Sequence, residues 1–132
     1  MFESRQQAAE LLAQELKQKG HGGENTIVLA IPRGGVVTGR VVADTLGCPL
    51  DIIVTRKIPA PQQSELALGA VGPEGIRVID VSLSERVEAG EQYLKKKIRE
   101  LKKEVEERQK KFRGGEEPFS VIGKTVILVD DG

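Results

Sequence analysis

The chain alternates between stretches whose apolar residues recur every three or four positions and stretches that are apolar without a break. Residues 4–19 are of the first kind. Ala8, Leu11, Leu12 and Leu16 fall at helical spacing, and Ser4 followed by Gln7 makes a capping box, so an amphipathic helix is predicted. Gly20, Gly22 and Gly23 end it. Thr26-Ile27-Val28-Leu29-Ala30-Ile31 is of the second kind. An apolar run without alternation predicts a strand covered on both faces, as in a parallel sheet. Pro32-Arg33-Gly34-Gly35 breaks the run. Val36 to Leu46 then reads as a helix, with Val37, Val41, Val42 and Leu46 toward the core, and Leu50 to Thr55 as a second strand. Residues 26–55 are thus a β-α-β unit, which closes right-handed in nearly every case.

Arg56-Lys57 leaves the second strand. Pro59, Ala60, Pro61, Gln62, Gln63, Ser64 and Glu65 read as a polar, flexible loop. Leu66 to Val71 and Gly75 to Val81 flank a turn at Gly72-Pro73-Glu74, which predicts a hairpin. A second capping box, Ser82-Leu83-Ser84-Glu85, opens a long helix from Ser84 to Phe112. Val87, Leu94, Ile98, Leu101, Val105 and Phe112 form a narrow apolar stripe on it, with Glu91–Lys95, Glu106–Lys110 and Glu107–Lys111 spaced for ion pairing. Such a stripe suits packing on the chain's own domain or on a neighbouring subunit better than a free coiled coil, and a homo-oligomer is expected. Gly114-Gly115 stops the helix, and Thr125-Val126-Ile127-Leu128-Val129 is a third buried strand. Together these elements predict an α/β fold. It is a partial doubly wound parallel sheet with a β-hairpin, a flexible loop and a long inserted helix, in one domain over residues 1–132.

Composition narrows the function. The 132 residues are 39% apolar, enough for a core, and carry 20 basic and 20 acidic side chains. A balanced chain has no global field to draw in nucleic acid or an acidic membrane. The Lys-rich stretch from Lys95 to Lys111 is interleaved with Glu and reads as a solvated helix face. No stretch approaches the ~18 apolar residues of a membrane span, and no signal peptide is evident, so a cytoplasmic location is expected. Cys48 is the one cysteine and His21, in a glycine-rich turn, the one histidine. They form neither a zinc cluster nor a Cys–His pair, and Cys48 reads as a small buried residue.

Three places carry chemistry. Pro32-Arg33-Gly34-Gly35 lies between a buried strand and a helix. Glycines there admit a ligand close to the backbone, helix N-terminal amides favour an anion, and Arg33 adds a cation; an ordinary turn with a surface arginine is the alternative. Arg56-Lys57 follows the next strand, so both basic sites fall on the carboxyl edge of the sheet, where open α/β sheets bind ligands. Asp130-Asp131 ends the third strand. Two adjacent carboxylates repel and need hydroxyls, a metal or hydrogen bonds, unless they are a plain polar turn. Beside a basic rim, a sugar phosphate matches best: carboxylates for the diol, cations for the phosphates.

Val126-Ile127-Leu128-Val129-Asp130-Asp131-Gly132 resembles the first half of the phosphoribosyl pyrophosphate signature of type I phosphoribosyltransferases. Pro32-Arg33-Gly34-Gly35-Val36-Val37 is similar to that family's pyrophosphate loop. Arg56-Lys57 with Glu65-Leu66-Ala67-Leu68-Gly69-Ala70-Val71 resembles bacterial and archaeal members of undefined base specificity. The resemblance implies transfer of ribose 5-phosphate from phosphoribosyl pyrophosphate to a nitrogenous base. It implies that Asp130 and Asp131, with Gly132, meet the ribose hydroxyls, and that Pro32, Arg33, Gly34 and Gly35 hold the pyrophosphate through a cis peptide between Pro32 and Arg33. It further implies that Lys57, with Arg56, reaches the same group, with Arg33 and Lys57 as the catalytic cations. Residues 59–65 would close over the site, and Mg²⁺ would arrive with the substrate rather than on dedicated protein ligands.

The family continues past this point with a Gly/Thr loop for the 5′-phosphate, further strands and part of a base-binding hood. The expectation is therefore a longer polypeptide, and residues 1–132 alone are expected to be inactive and poorly behaved as a monomer. Three other functions are weighed: a regulatory module that binds phosphoribosyl pyrophosphate without turnover, an interaction protein built on the long helix, and a Rossmann-type nucleotide binder, the weakest of them because no Gly-x-Gly-x-x-Gly follows the first strand.

Overall fold

The computed structural model describes residues 4–114, 116 and 120–130. Its elements run α1 (Arg5–Gln18), β1 (Thr26–Ala30), α2 (Gly34–Leu46), β2 (Leu50–Ile52), β3 (Arg56–Ala60), β4 (Gln63–Val71), a 3₁₀ turn (Pro73–Gly75), β5 (Arg77–Ile79), α3 (Val81–Arg86), α4 (Glu91–Arg113) and β6 (Thr125–Val129). The single domain that length suggests packs as two compact units, one from Met1–Ile53 with Glu116–Gly132 and one from Val54–Gly115.

The first unit is a parallel sheet in the order β2-β1-β6, with α1 and α2 packed against each other. The central strand β1 pairs with β2 from Val28↔Leu50 to Ala30↔Ile52 and with β6 from Thr26↔Thr125 to Ala30↔Val129. Its Ile27, Val28 and Ala30 have no exposed surface, as an unbroken apolar run in mid-sheet requires. Ala13, Val28, Val42, Ala43 and Val129 form the core, flanked by Leu16, Val41, Leu46 and Leu50. Helix α2 sits so close to β1 that a Cβ on Gly39 would lie 2.8 Å from the Ala30 Cβ. Gly47 closes α2 in the left-handed conformation (φ 68°), its N–H bonding to the Ala43 carbonyl.

Three expectations change in this unit, the first being Val37 of α2, which helical spacing puts toward the core but which is 45% exposed. Helix α1 is capped as predicted, Ser4 Oγ accepting from the Gln7 N–H at 3.0 Å. Yet its buried face is Ala9 and Ala13, one turn apart, while Leu11 and Leu12 are exposed. Small residues let α1 lie close to α2, a choice that hydrophobic spacing alone does not reveal. The third strand has the predicted bounds but not the predicted cover. Val129 is buried and Ile127 half-buried on the core face, whereas Val126 and Leu128 on the other face are 40% and 61% exposed.

The second unit is an antiparallel sheet in the order β3-β4-β5, backed by α4. Ile58, Leu68, Val71 and Val105 are fully buried and Ile98 nearly so. The hairpin around Gly72-Pro73-Glu74 is present as β4 and β5. The loop predicted at residues 59–65 is instead the tip of another hairpin: Pro59 and Ala60 end β3, Pro61 and Gln62 turn, and Gln63, Ser64 and Glu65 begin β4. Register shifts at Ile58/Pro59 and Pro59/Ala60 let the strand absorb its proline. The long helix divides as well. Asp80 caps α3, its carboxylate accepting from the Leu83 N–H at 3.0 Å, so neither Ser82 nor Ser84 is the cap. Gly90 starts α4 anew from extended backbone (ψ 164°), and Glu88 lies in the left-handed region between the two helices. Glycine is a poor helix former, and the apolar stripe runs across this break without registering it. Ile98 and Val105 of α4 are buried within the unit, so the helix packs on its own domain. Among the described residues no helix is long and apolar enough to cross a membrane.

Candidate functional site

In the first unit the strand β1 ends at Ala30, and Pro32-Arg33-Gly34-Gly35 carries the chain into α2. The Pro32–Arg33 peptide is cis, as the resemblance implied. The turn is tied at both ends: the Gly35 N–H donates to the Ile31 carbonyl at 3.0 Å and the Val36 N–H to the Arg33 carbonyl at 3.1 Å. Arg33 is exposed and makes no ion pair among the described residues.

The acidic end of β6 meets this turn. The Ile31 N–H donates to the Val129 carbonyl at 2.9 Å, extending the parallel ladder to the rim of the sheet. Gly35 is buried there. A Cβ on it would lie 2.9 Å from the Val129 carbonyl oxygen, 3.2 Å from the Asp130 Cα and 3.6 Å from an Asp130 carboxylate oxygen. The absent side chain is what lets the first turn of α2 and the end of β6 share one edge. The start of α2, which directly follows Arg33, and the Asp130 carboxylate therefore meet at one edge of this unit. Asp131 and Gly132 lie outside the described residues.

Arg56 and Lys57 belong to the second unit. Strand β2 stops at Ile52, so the pair opens β3 instead of closing the preceding strand. Strand geometry sends the two side chains to opposite faces. Arg56 turns toward α4, its Nε 3.6 Å from a Glu104 carboxylate oxygen. Lys57 is exposed and makes no ion pair among the described residues. Sequence reasoning missed what supports the pair: Gln109 Oε1 accepts from the Val54 N–H at 2.9 Å, and the Tyr93 hydroxyl donates to the Pro59 carbonyl at 2.6 Å. Partners 34 and 55 residues apart leave no local signal. Cys48 is half-buried, and desolvation pushes its thiol above its ordinary value, which suits packing better than nucleophilic chemistry.

An open parallel sheet with a glycine-rich turn and a carboxylate on its carboxyl edge is the arrangement by which α/β proteins meet ligands at that edge. The chain belongs to the phosphoribosyl transferase domain family, which it matches over residues 3–132. Two Mycobacterium tuberculosis proteins, from strains CDC 1551 and H37Rv, each named "Putative phosphoribosyl transferase", are 36% identical to it over 132 residues. These matches cover 100% of this chain and 29% of each relative, so the chain spans under a third of their length. The crystal structure of TT1426 from Thermus thermophilus superposes with a TM-score of 0.76 at 35% identity, covering 98% of this chain and 60% of that one.

Proposed function

We propose that this chain carries the phosphoribosyl pyrophosphate-binding part of an enzyme that transfers ribose 5-phosphate to a nitrogenous base and releases pyrophosphate. The observation that supports the reading is the packing of Gly35 against Val129 and Asp130, which sets the glycine turn after β1 beside a carboxylate. In this reading the Gly34 amide and the Arg33 guanidinium receive the pyrophosphate, with Gly35 packed behind them against Asp130. Asp130 accepts from a ribose hydroxyl, with Asp131 beside it in sequence.

The chemistry is displacement at the ribose C1. The base nitrogen forms a bond to that carbon as the bond to the pyrophosphate oxygen breaks, and the electron pair leaves on the pyrophosphate. Negative charge grows on the leaving group, so preset amides and cations aimed there lower the barrier. Mg²⁺ enters as the counter-ion of the substrate. Among the described residues no three His, Cys, Asp or Glu side chains gather to hold a metal. A cation at this edge would take its ligands mostly from pyrophosphate oxygens and water, the habit of Mg²⁺.

The test is a pyrophosphate-release assay on the full-length protein, with phosphoribosyl pyrophosphate, Mg²⁺ and a panel of purine and pyrimidine bases. Base-dependent release, lost in Arg33→Ala, supports the reading. Tight binding of phosphoribosyl pyrophosphate with no release under any base would favour the regulatory module instead.

A further inference from the structure

The second unit holds a cavity of about 430 Å³ between the tip of the β3–β4 hairpin and the link from α3 to α4. Ala60, Pro61, Gln62 and Gln63 line it from the hairpin, Val87 and Glu88 from the link. Its volume falls within the range of small-molecule sites, roughly 300–1,000 Å³. Both walls are fixed from behind. The Tyr93 hydroxyl donates to the Pro59 carbonyl at 2.6 Å, and Ala60 next to it is buried. The Val87 N–H donates to the Leu83 carbonyl at 3.1 Å and the Ala89 N–H to the Ser84 carbonyl at 2.8 Å, so the link is tied on either side of Glu88. At Glu88 itself the backbone is left-handed (φ 57°), a conformation that strains a residue with a side chain and that glycine takes freely. Strain retained at a residue lining a preformed cavity points to a use for that residue's side chain.

The lining selects the occupant. Among the described residues it offers two carboxamides and one carboxylate and no cation, so it disfavours an anion. Each carboxamide presents donors and an acceptor, which an amide or amidine edge of a ring complements. Ala60, Pro61 and Val87 give the faces of such a ring an apolar surround. We propose that this cavity binds a neutral nitrogen heterocycle with an amide or amidine edge, the chemical class of a free nucleobase. The Glu88 carboxylate accepts from its N–H groups, and the Gln62 and Gln63 carboxamides complete the contacts to its edge. The second unit thereby has a ligand of its own, which goes beyond the reading above and draws on nothing at the turn of the first unit.

The experiment is isothermal titration of the full-length protein with adenine, hypoxanthine, cytosine and uracil, each alone, with inorganic phosphate as the anionic control and thermal unfolding followed in parallel. At least one base is expected to bind. Glu88→Gly should weaken that base by about tenfold, the scale of a hydrogen bond to a charged group, while the melting temperature stays level or rises. A merely structural role for Glu88 would move affinity and stability together. Glu88→Gln, which keeps the size and an acceptor oxygen, should restore part of the loss. Gln63→Ala should cost about fivefold, the scale of one neutral hydrogen bond. Affinity for inorganic phosphate should be the same in all of these variants. No binding of any of the four bases would overturn the proposal, and so would unchanged base affinity in Glu88→Gly. A loss of phosphate affinity in Glu88→Gly equal to the loss for the base would overturn it as well, since the effect would then not be selective for the ring. None of these failures bears on the pyrophosphate reading, which is tested separately by Arg33→Ala and pyrophosphate release.

Discussion

The two units of this chain reach their candidate residues by opposite routes. In the first, Pro32 to Gly35 closely follow β1, Asp130 directly follows β6, and parallel pairing of those strands brings the two ends to one edge. In the second, Lys57 lies near the start of an antiparallel strand held by side chains far away in sequence. Chemistry attached to the end of a buried strand is placed by the sheet itself. Chemistry on a strand flank is placed by whatever packs on the other side.

Breaking each unit at a tightly packed glycine sharpens this comparison, and the largest effect is expected in the second. A Cβ on Gly69 would collide with the Val78 carbonyl of the neighbouring strand. Gly69→Ala should part β4 from β5 and cost about 3 kcal/mol or more, the scale of an overpacked interior with little room to yield. The readout is the midpoint of thermal or urea unfolding. A change within ~0.5 kcal/mol, the range of ordinary surface substitutions, would contradict the strand pairing. In the first unit, Gly35→Ala meets the Val129 carbonyl at 2.9 Å and must push β6 from α2. A loss of about 1–2 kcal/mol is expected, together with a loss of pyrophosphate affinity larger than stability alone explains. Unaltered affinity would separate this glycine from the site.

The same contrast governs what is legible in the sequence. The unbroken apolar runs at Thr26 to Ile31 and Thr125 to Val129 identify parallel strands, because a strand in such a sheet has apolar neighbours on most sides. Glycines next to an arginine, and an acid after a strand, are legible because their chemistry is local. The Pro-rich stretch at residues 59–65 has the composition of a loop, yet a bulged strand accommodates Pro59 and the Tyr93 hydroxyl holds its carbonyl. The long helix reads straight through Gly90 because Val87 and Leu94 keep heptad spacing across a break that glycine makes. Spacing points to Leu11 and Leu12 as core, although Ala9 and Ala13 are what α2 admits. The first and last of these differences turn on a partner distant in sequence, the second on a single glycine.

Smaller effects discriminate further. Arg33→Ala should lower kcat/KM of the full-length protein by at least about tenfold, ~1.4 kcal/mol, with little change in melting temperature, because the side chain is exposed. Unchanged kinetics would remove Arg33 from the site. Glu88→Gly, at a residue with φ 57°, should stabilise the second unit by up to about 1 kcal/mol by relieving left-handed backbone strain. A clear loss of stability there would mean that the Glu88 side chain matters more than its backbone.

The most direct test of the central claim is amide NMR of the ¹⁵N-labelled chain during titration with phosphoribosyl pyrophosphate and Mg²⁺. The account predicts that the earliest and largest shifts fall on Gly34, Gly35 and Asp130. It also predicts that Asp130→Asn weakens the titration without removing the response to pyrophosphate at Gly34 and Gly35. Shifts confined to α1 or the outer face of α4, with Gly34, Gly35 and Asp130 silent at saturating ligand, would contradict it.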